Sequence, residues 1–240
     1  MLSVTAVIDG RRASREEVLS WERRRAVKVL AKLGADVPRS SEVGALRRAH
    51  TERKLELRHE AIERRLAHEL QAASYVGRAG AALSHGRRRM CTVELHGAGA
   101  SVEVIPAWYR EAIATNNEAP LIEACPDHYI LRTRADGRQE VIETTGGSPM
   151  AVRMLFDDDD TSTLTSKPDL AFPVEWASVA LSAGGAPIGG VRHLFRDEPN
   201  GFRVRLTVEF PATTPSLMIR WHRWHLACEF SNWIESANAD

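Results

Sequence analysis

The stretch TPSLMIRWHRWHLACEFSNWIE, Thr214 to Glu235, decides how the rest of the chain is read. Thr214 and Pro215 supply an N-cap and a first-turn proline, and no further Gly or Pro follows, so the spacing predicts a helix of about twenty residues. At about 100° per residue, Met218, His222, His225, Glu229 and Trp233 gather on one side. Arg220, Arg223, Ala227 and Ser231 gather opposite, on the one side without a large apolar residue, and that side is expected to meet water. Two histidines and a carboxylate therefore point inward. A Glu buried without a partner is costly or takes up a proton, so something must offset it. A divalent ion does so, since imidazole and carboxylate are its ordinary ligands and i, i+4 spacing presents two of them together. A plain His–Glu hydrogen bond is the other reading that the spacing alone leaves open.

Upstream of this helix the pattern is that of short strands. Phe202, Val204, Leu206, Val208 and Phe210 alternate with polar residues, and Gly190 to Arg196 precedes them across Asp197–Gly201 as the partner of a hairpin. Tyr129 to Arg134 and Gln139 to Thr144 flank Ala135-Asp136-Gly137, the Asp-Gly chemistry of a tight turn. Thr92 to Leu95 and Val102 to Ile105 are two further predicted strands. Antiparallel strands followed by a long apolar C-terminal helix predict an α+β class and a helix-grip (Bet v 1/START-like) architecture, a curved sheet around that helix with a ligand cavity between them.

The first ninety residues read differently. Ser14 and Glu17 form an S-x-x-E capping box ahead of a helix from Arg15 to about Leu33, closed by Gly34 and Pro38. A second helix of about thirty residues starts at Ser40 or Ser41, with an incomplete apolar stripe of Val43, Leu46, Leu55, Ile62, Leu66 and Leu70. Gly77, Gly80, Gly86 and the run Arg87 to Arg89 close the segment. The expected division is 1–90, a basic helical segment, and 91–240, the ligand-binding domain. The net charge of zero hides an asymmetry: residues 11–90 hold 20 Lys and Arg against 10 Asp and Glu, and residues 91–240 hold 12 against 21. A basic half can bind nucleic acid, but a helical face laced with Arg/Glu pairs has the same composition, and a solvated or self-associating face is the preferred reading, which leaves a helical hairpin and a homodimer through these helices both open.

With 240 residues and 43% hydrophobic composition the chain has the makings of a globular fold, and no apolar run is long enough to span a bilayer. Cys91, Cys125 and Cys228 are odd in number, widely spaced and without a C-x-x-C pair, which argues against a disulfide framework and for a cytoplasmic location. There is no Walker loop, nucleophile elbow or dinucleotide fingerprint, so ATP and NAD are not expected.

Three more polar residues join the candidates from the strands. His128 opens the first hairpin and Glu143 closes it, and pairing across the turn brings these ends together. His193 lies in the 190–196 strand. In order, Pro106-Ala107-Trp108-Tyr109, Cys125-Pro126-Asp127-His128-Tyr129, Glu143-Thr144-Thr145-Gly146-Gly147, Val191-Arg192-His193-Leu194-Phe195-Arg196-Asp197 and His225-Leu226-Ala227-Cys228-Glu229-Phe230-Ser231-Asn232 resemble the diacetylphloroglucinol and phloretin hydrolases, which cleave carbon–carbon bonds with a metal. The resemblance covers roughly residues 106 to 236 and is most specific at the His-x-x-x-Glu-Phe-x-Asn helix. It implies zinc or another divalent ion on His128, Glu143, His225 and Glu229. Asp159 and Asp160 are rivals for the place of Glu143. It also implies a small aromatic or polyketide-like substrate, with His193 or His222 moving the proton, and Trp108, Trp221, Trp224 and Trp233 as candidate walls. A hydrophobic-ligand-binding protein and a metal-free polyketide cyclase or dehydratase are the alternatives.

Overall fold

Residues 2–40, 42–157 and 160–239 are described by the computed structural model. The chain opens with strands β1 (Ser3–Ile8) and β2 (Arg11–Ala13), then helices α1 (Arg15–Lys32) and α2 (Val43–Ser84). Strand β3 (Arg88–Ala98) leads to two short helices, α3 (Ile105–Ala114) and α4 (Ala119–Glu123). Six strands follow: β4 (His128–Thr133), β5 (Gln139–Thr144), β6 (Ala151–Asp157), β7 (Val174–Leu181), β8 (Pro187–Glu198) and β9 (Gly201–Pro211). Helix α5 (Ser216–Ala237) completes the order.

The nine strands form one antiparallel sheet in the order β2-β1-β3-β9-β8-β7-β6-β5-β4. This corrects the helix-grip expectation. The sheet is open, with β2 and β4 as its edges, and α5 is not held by a curved sheet alone. It packs on β1 and β3 to one side and on α1, α3, α4 and the turn after β5 to the other. The expectation failed because it counted only the strands after residue 91. The apolar alternation of Val4, Ala6 and Ile8, all buried, adds β1 beside β3 and lengthens the sheet at the end remote from β4. Strand β3 runs across residue 90, and β1 and β2 belong to the same sheet as the later strands.

Local chemistry explains most of the remaining elements. Ser14 caps α1 with the reciprocal Glu17 bond, as the capping box requires. Helix α2 departs from its expected length: it continues through Gly77 and Gly80 and stops at Ser84, where His85 and Gly86 take positive φ. Arg58 (φ 56°, ψ 169°) interrupts its helical geometry, so α2 is two helices joined at a kink. Val102 to Ile105 is a turn into α3 instead of a strand, because Pro106 supplies a first-turn proline and Val102 N–H donates to the Asp197 carboxylate.

One core joins α5, α3, β1, β3 and β9, and a second joins Val29, Leu33, Ile62 and Leu66 of the N-terminal helices to Tyr129, Ile130, Ile142 and Ala151 of the β4–β6 end. The N-terminal helices therefore cover α5 and the β4–β6 sheet end. For that reason Ala227 and Ser231 are buried, against the expectation that their side meets water, while Arg220 remains exposed. No described helix is long and apolar enough to cross a membrane.

Candidate metal centre

Three elements bring the four expected ligands together. Across the β4–β5 hairpin His128 pairs directly with Glu143, as the Asp-Gly turn led one to expect. From α5, His225 and Glu229 stack one turn apart. The turn Thr145–Gly147 locks the hairpin end against α5: Gly146 has φ 51°, and a Cβ there would fall 2.3 Å from His222 N. Only glycine meets both conditions at this close approach.

The donor atoms converge. His128 Nε2 lies 3.2 Å from His225 Nε2. Glu143 Oε2 lies 3.7 Å from the first and 3.6 Å from the second. Glu229 Oε1 is 3.5 Å from His128 Nε2, and its Oε2 is 3.6 Å from His225 Nε2. Ligands at about 2.0–2.2 Å from a tetrahedral ion are separated from one another by about 3.3–3.6 Å, so these side chains fit one small divalent cation. The charge balance points the same way. Among the described residues no Lys or Arg pairs with Glu143 or Glu229, although both are buried. Burial raises Glu229 to about 8, with His225 opposing and Glu143 adding to the rise, and it also raises Glu143. Burial works against a charge on His225, yet Glu143, Asp127 and Glu229 together lift it to about 9. Burial and the neighbouring His225 hold His128 well below the usual histidine range. Without an ion, protons must stand in for the missing positive charge.

The outer atoms of both imidazoles are also engaged. His128 Nδ1 lies 3.1 Å from Leu121 O, and His225 Nδ1 lies 3.7 Å from Cys125 Sγ and 3.8 Å from Asp127 Oδ2. Cys125 with His128 and His225, and His222 with Glu143 and His225, are two overlapping groups that could also hold an ion. Cys125 is the weaker donor here, since burial raises its thiol well above the ordinary range and it faces Nδ1 of His225, away from the four converging atoms.

A cavity of about 570 Å³ opens beside these groups and is walled mainly by apolar side chains. His222 and His193 line it but stand outside the four-donor cluster. His222 stacks on His225 at 4.8 Å, and His193 packs on Phe230 at 4.8 Å and Trp176 at 5.6 Å. Burial alone pushes His193 down to about 3, and burial with three neighbouring histidines holds His222 low, so both are neutral. The Nδ1 atoms of both lack a partner among the described residues. Asp160 is in neither of the groups that could hold an ion, and its carboxylate accepts the Ser162 N–H at 2.8 Å; Asp159 lies outside the described residues.

Of the four tryptophans expected in the wall only Trp233 lines the cavity; Trp108 packs behind it, at 6.4 Å. Sequence reasoning missed Tyr109 and Trp176, whose rings lie 4.4 Å apart, and the row Val141, Val152, Met154 and Phe156. The signal for that row was present, because Gln139 and Val141 share the inward parity of Glu143 along β5, and the register carries it to β6.

No protein-family model and no curated protein matches this chain. Among solved structures, the crystal structure of protein Ms6760 from Mycobacterium smegmatis aligns over 61% of this chain and 88% of its own, at 12% identity and a TM-score of 0.34. A likeness that distant carries no argument about fold or function.

Proposed function

We propose that this protein is a divalent-metal-dependent hydrolase that cleaves the carbon–carbon bond between an acyl group and an electron-rich aromatic ring, as its motif resemblance to the diacetylphloroglucinol and phloretin hydrolases implies. The observation that carries the reading is the convergence of His128, Glu143, His225 and Glu229 on one point at the wall of an apolar, aromatic-lined cavity. Two neutral imidazoles and two carboxylates balance a +2 ion, and zinc is the ion this donor set suits best. When bound, such an ion supplies Lewis acidity to a ketone or phenolate oxygen.

The chain's own residues supply the rest. Tyr109, Trp176, Phe230 and Trp233 offer ring faces to a planar substrate, and the apolar wall limits water to the polar end of the cavity. Water adds its hydroxyl to the acyl carbon, the acyl–ring bond breaks with its electron pair going to the ring carbon, and that carbon takes a proton. The products are a carboxylic acid and the deacylated ring. His193 and His222 line the cavity, each with an Nδ1 that lacks a partner among the described residues, and can relay the proton of the attacking water to the ring carbon. The test is release of acetic acid from mono- and diacetylated phloroglucinols by zinc-loaded protein. The reading requires loss of release after chelation and its return on adding zinc. Zinc-loaded protein that is inert towards the whole acylated-polyphenol series would refute it.

A further inference from the structure

We propose that Arg25 of α1 is a positioning residue for the metal centre, acting through Asp127 to set the tautomer of His225; this rests on the metal-dependent reading above. The Asp127 side chain is wholly buried and is gripped by one guanidinium: Arg25 Nε donates to both oxygens at 3.1 and 3.0 Å, and Nη2 donates to Oδ1 at 2.6 Å. Asp127 Oδ2 also faces His225 Nδ1 at 3.8 Å. The distance is longer than a hydrogen bond, but an ionised carboxylate only accepts, and its charge favours the hydrogen on the nitrogen turned toward it. That leaves the lone pair on Nε2, the atom that meets His128, Glu143 and Glu229.

The second neighbour of Nδ1 makes this choice matter. Cys125 Sγ, at 3.7 Å, is a thiol that can donate. With the Asp127 charge removed, the thiol favours a lone pair on Nδ1 and a hydrogen on Nε2, which would aim that hydrogen into the ion site. For His128 the hydrogen is set locally, because its Nδ1 lies 3.1 Å from the acceptor oxygen of Leu121. The two imidazoles are thus oriented by different means, one by a local backbone carbonyl and one by an ion pair that reaches back to the first helix. The basic N-terminal segment acquires a role here beyond covering the sheet. Lys54 of α2 holds the same loop by donating to Ile122 O at 3.2 Å and Pro126 O at 3.1 Å.

The test compares Arg25→Met, Arg25→Lys and Asp127→Asn, with Arg47→Met as a control cation that contacts Glu22 and Asn232 but not Asp127. Zinc affinity is read by competition with a chromophoric chelator, and the His225 tautomer by ¹⁵N NMR of the metal-free protein at a pH well above about 9, where the ring is neutral. Asp127→Asn and Arg25→Met should weaken zinc binding about 10- to 100-fold, and both should move His225 from the Nδ1–H toward the Nε2–H form. Arg25→Lys should recover most of the affinity, and Arg47→Met should lower thermal stability while keeping it. Wild-type affinity and an unchanged tautomer in Asp127→Asn and Arg25→Met would overturn the proposal and leave the pair purely structural. If Arg25→Met does not fold, the isosteric Asp127→Asn decides alone. A wild-type protein that binds no zinc would overturn the metal reading as well, whereas zinc binding indifferent to these variants would remove only the positioning role.

Discussion

Helix α5 carries buried charge on two sides, and the two are treated in opposite ways. Toward the N-terminal helices, Glu22 is fully buried but is held by Arg47 and by Asn232, and Asn232 in turn accepts from Arg15 and Arg47 and donates to Ala124 O. Asp127 is buried too, yet His225 and Arg25 overcome the cost of burial and keep its carboxyl below the usual range. Toward the cavity, Glu143 and Glu229 face imidazoles alone and both rise. Along one helix the fold pairs Glu22 and Asp127 with arginines and, among the described residues, leaves Glu143 and Glu229 without a permanent cation where the cavity begins. The difference marks a place that could hold a cation from outside.

The sharpest way to break this comparison is to remove donors from the cavity side. His225→Ala and Glu229→Ala should each lower zinc affinity by about a thousandfold or more, since each deletes one of four ligands. Circular dichroism should stay native-like, and chelator competition gives the constant. Next comes a matched pair of isosteric changes in metal-free protein, followed by urea denaturation. Glu22→Gln leaves Arg47 without its counter-charge and should cost about 3 kcal/mol. Glu229→Gln removes an uncompensated buried carboxyl and should raise stability by about 1 kcal/mol. Equal effects of the same sign would erase the contrast between the two sides.

Those two sides were not equally legible in the sequence. The cavity side was: the turn of α5 and the Asp-Gly hairpin are local patterns, and together they brought His128, Glu143, His225 and Glu229 within a few ångströms of each other. The opposite side was not, because Arg25–Asp127 and Glu22–Arg47–Asn232 join residues 25 to 210 positions apart, and nothing local marks which of many arginines turns inward. The sheet order failed for a similar reason. The contact of β1 with β3 is long-range, and the six-residue alternation of β1 carried too little weight beside the capping box that follows it.

Lys54 gives a smaller effect on the N-terminal side. Burial, opposed by Cys125 and Asp127, pushes its ammonium down from 10.5 to about 7. Between those values the unfolded chain holds a proton that the folded chain has released, so stability should climb with pH across that window. The slope should be at most about 1.4 kcal/mol per pH unit, and Lys54→Met should flatten it. Denaturation midpoints from pH 6 to 10 measure both chains. The smallest expected effect is on the cavity wall, where Val152→Ala should cost about 1 kcal/mol of stability and leave zinc affinity unchanged.

The central claim, that two imidazoles and two carboxylates hold one ion, is tested most directly by X-ray absorption at the zinc edge of the purified, zinc-loaded protein. The account predicts one ion per chain with four nitrogen or oxygen neighbours at about 2.0–2.1 Å, the multiple scattering of two imidazoles, and no sulfur shell. A sulfur neighbour at about 2.3 Å would place Cys125 in the site. Either that result or a protein that retains no zinc after dialysis would contradict the assignment.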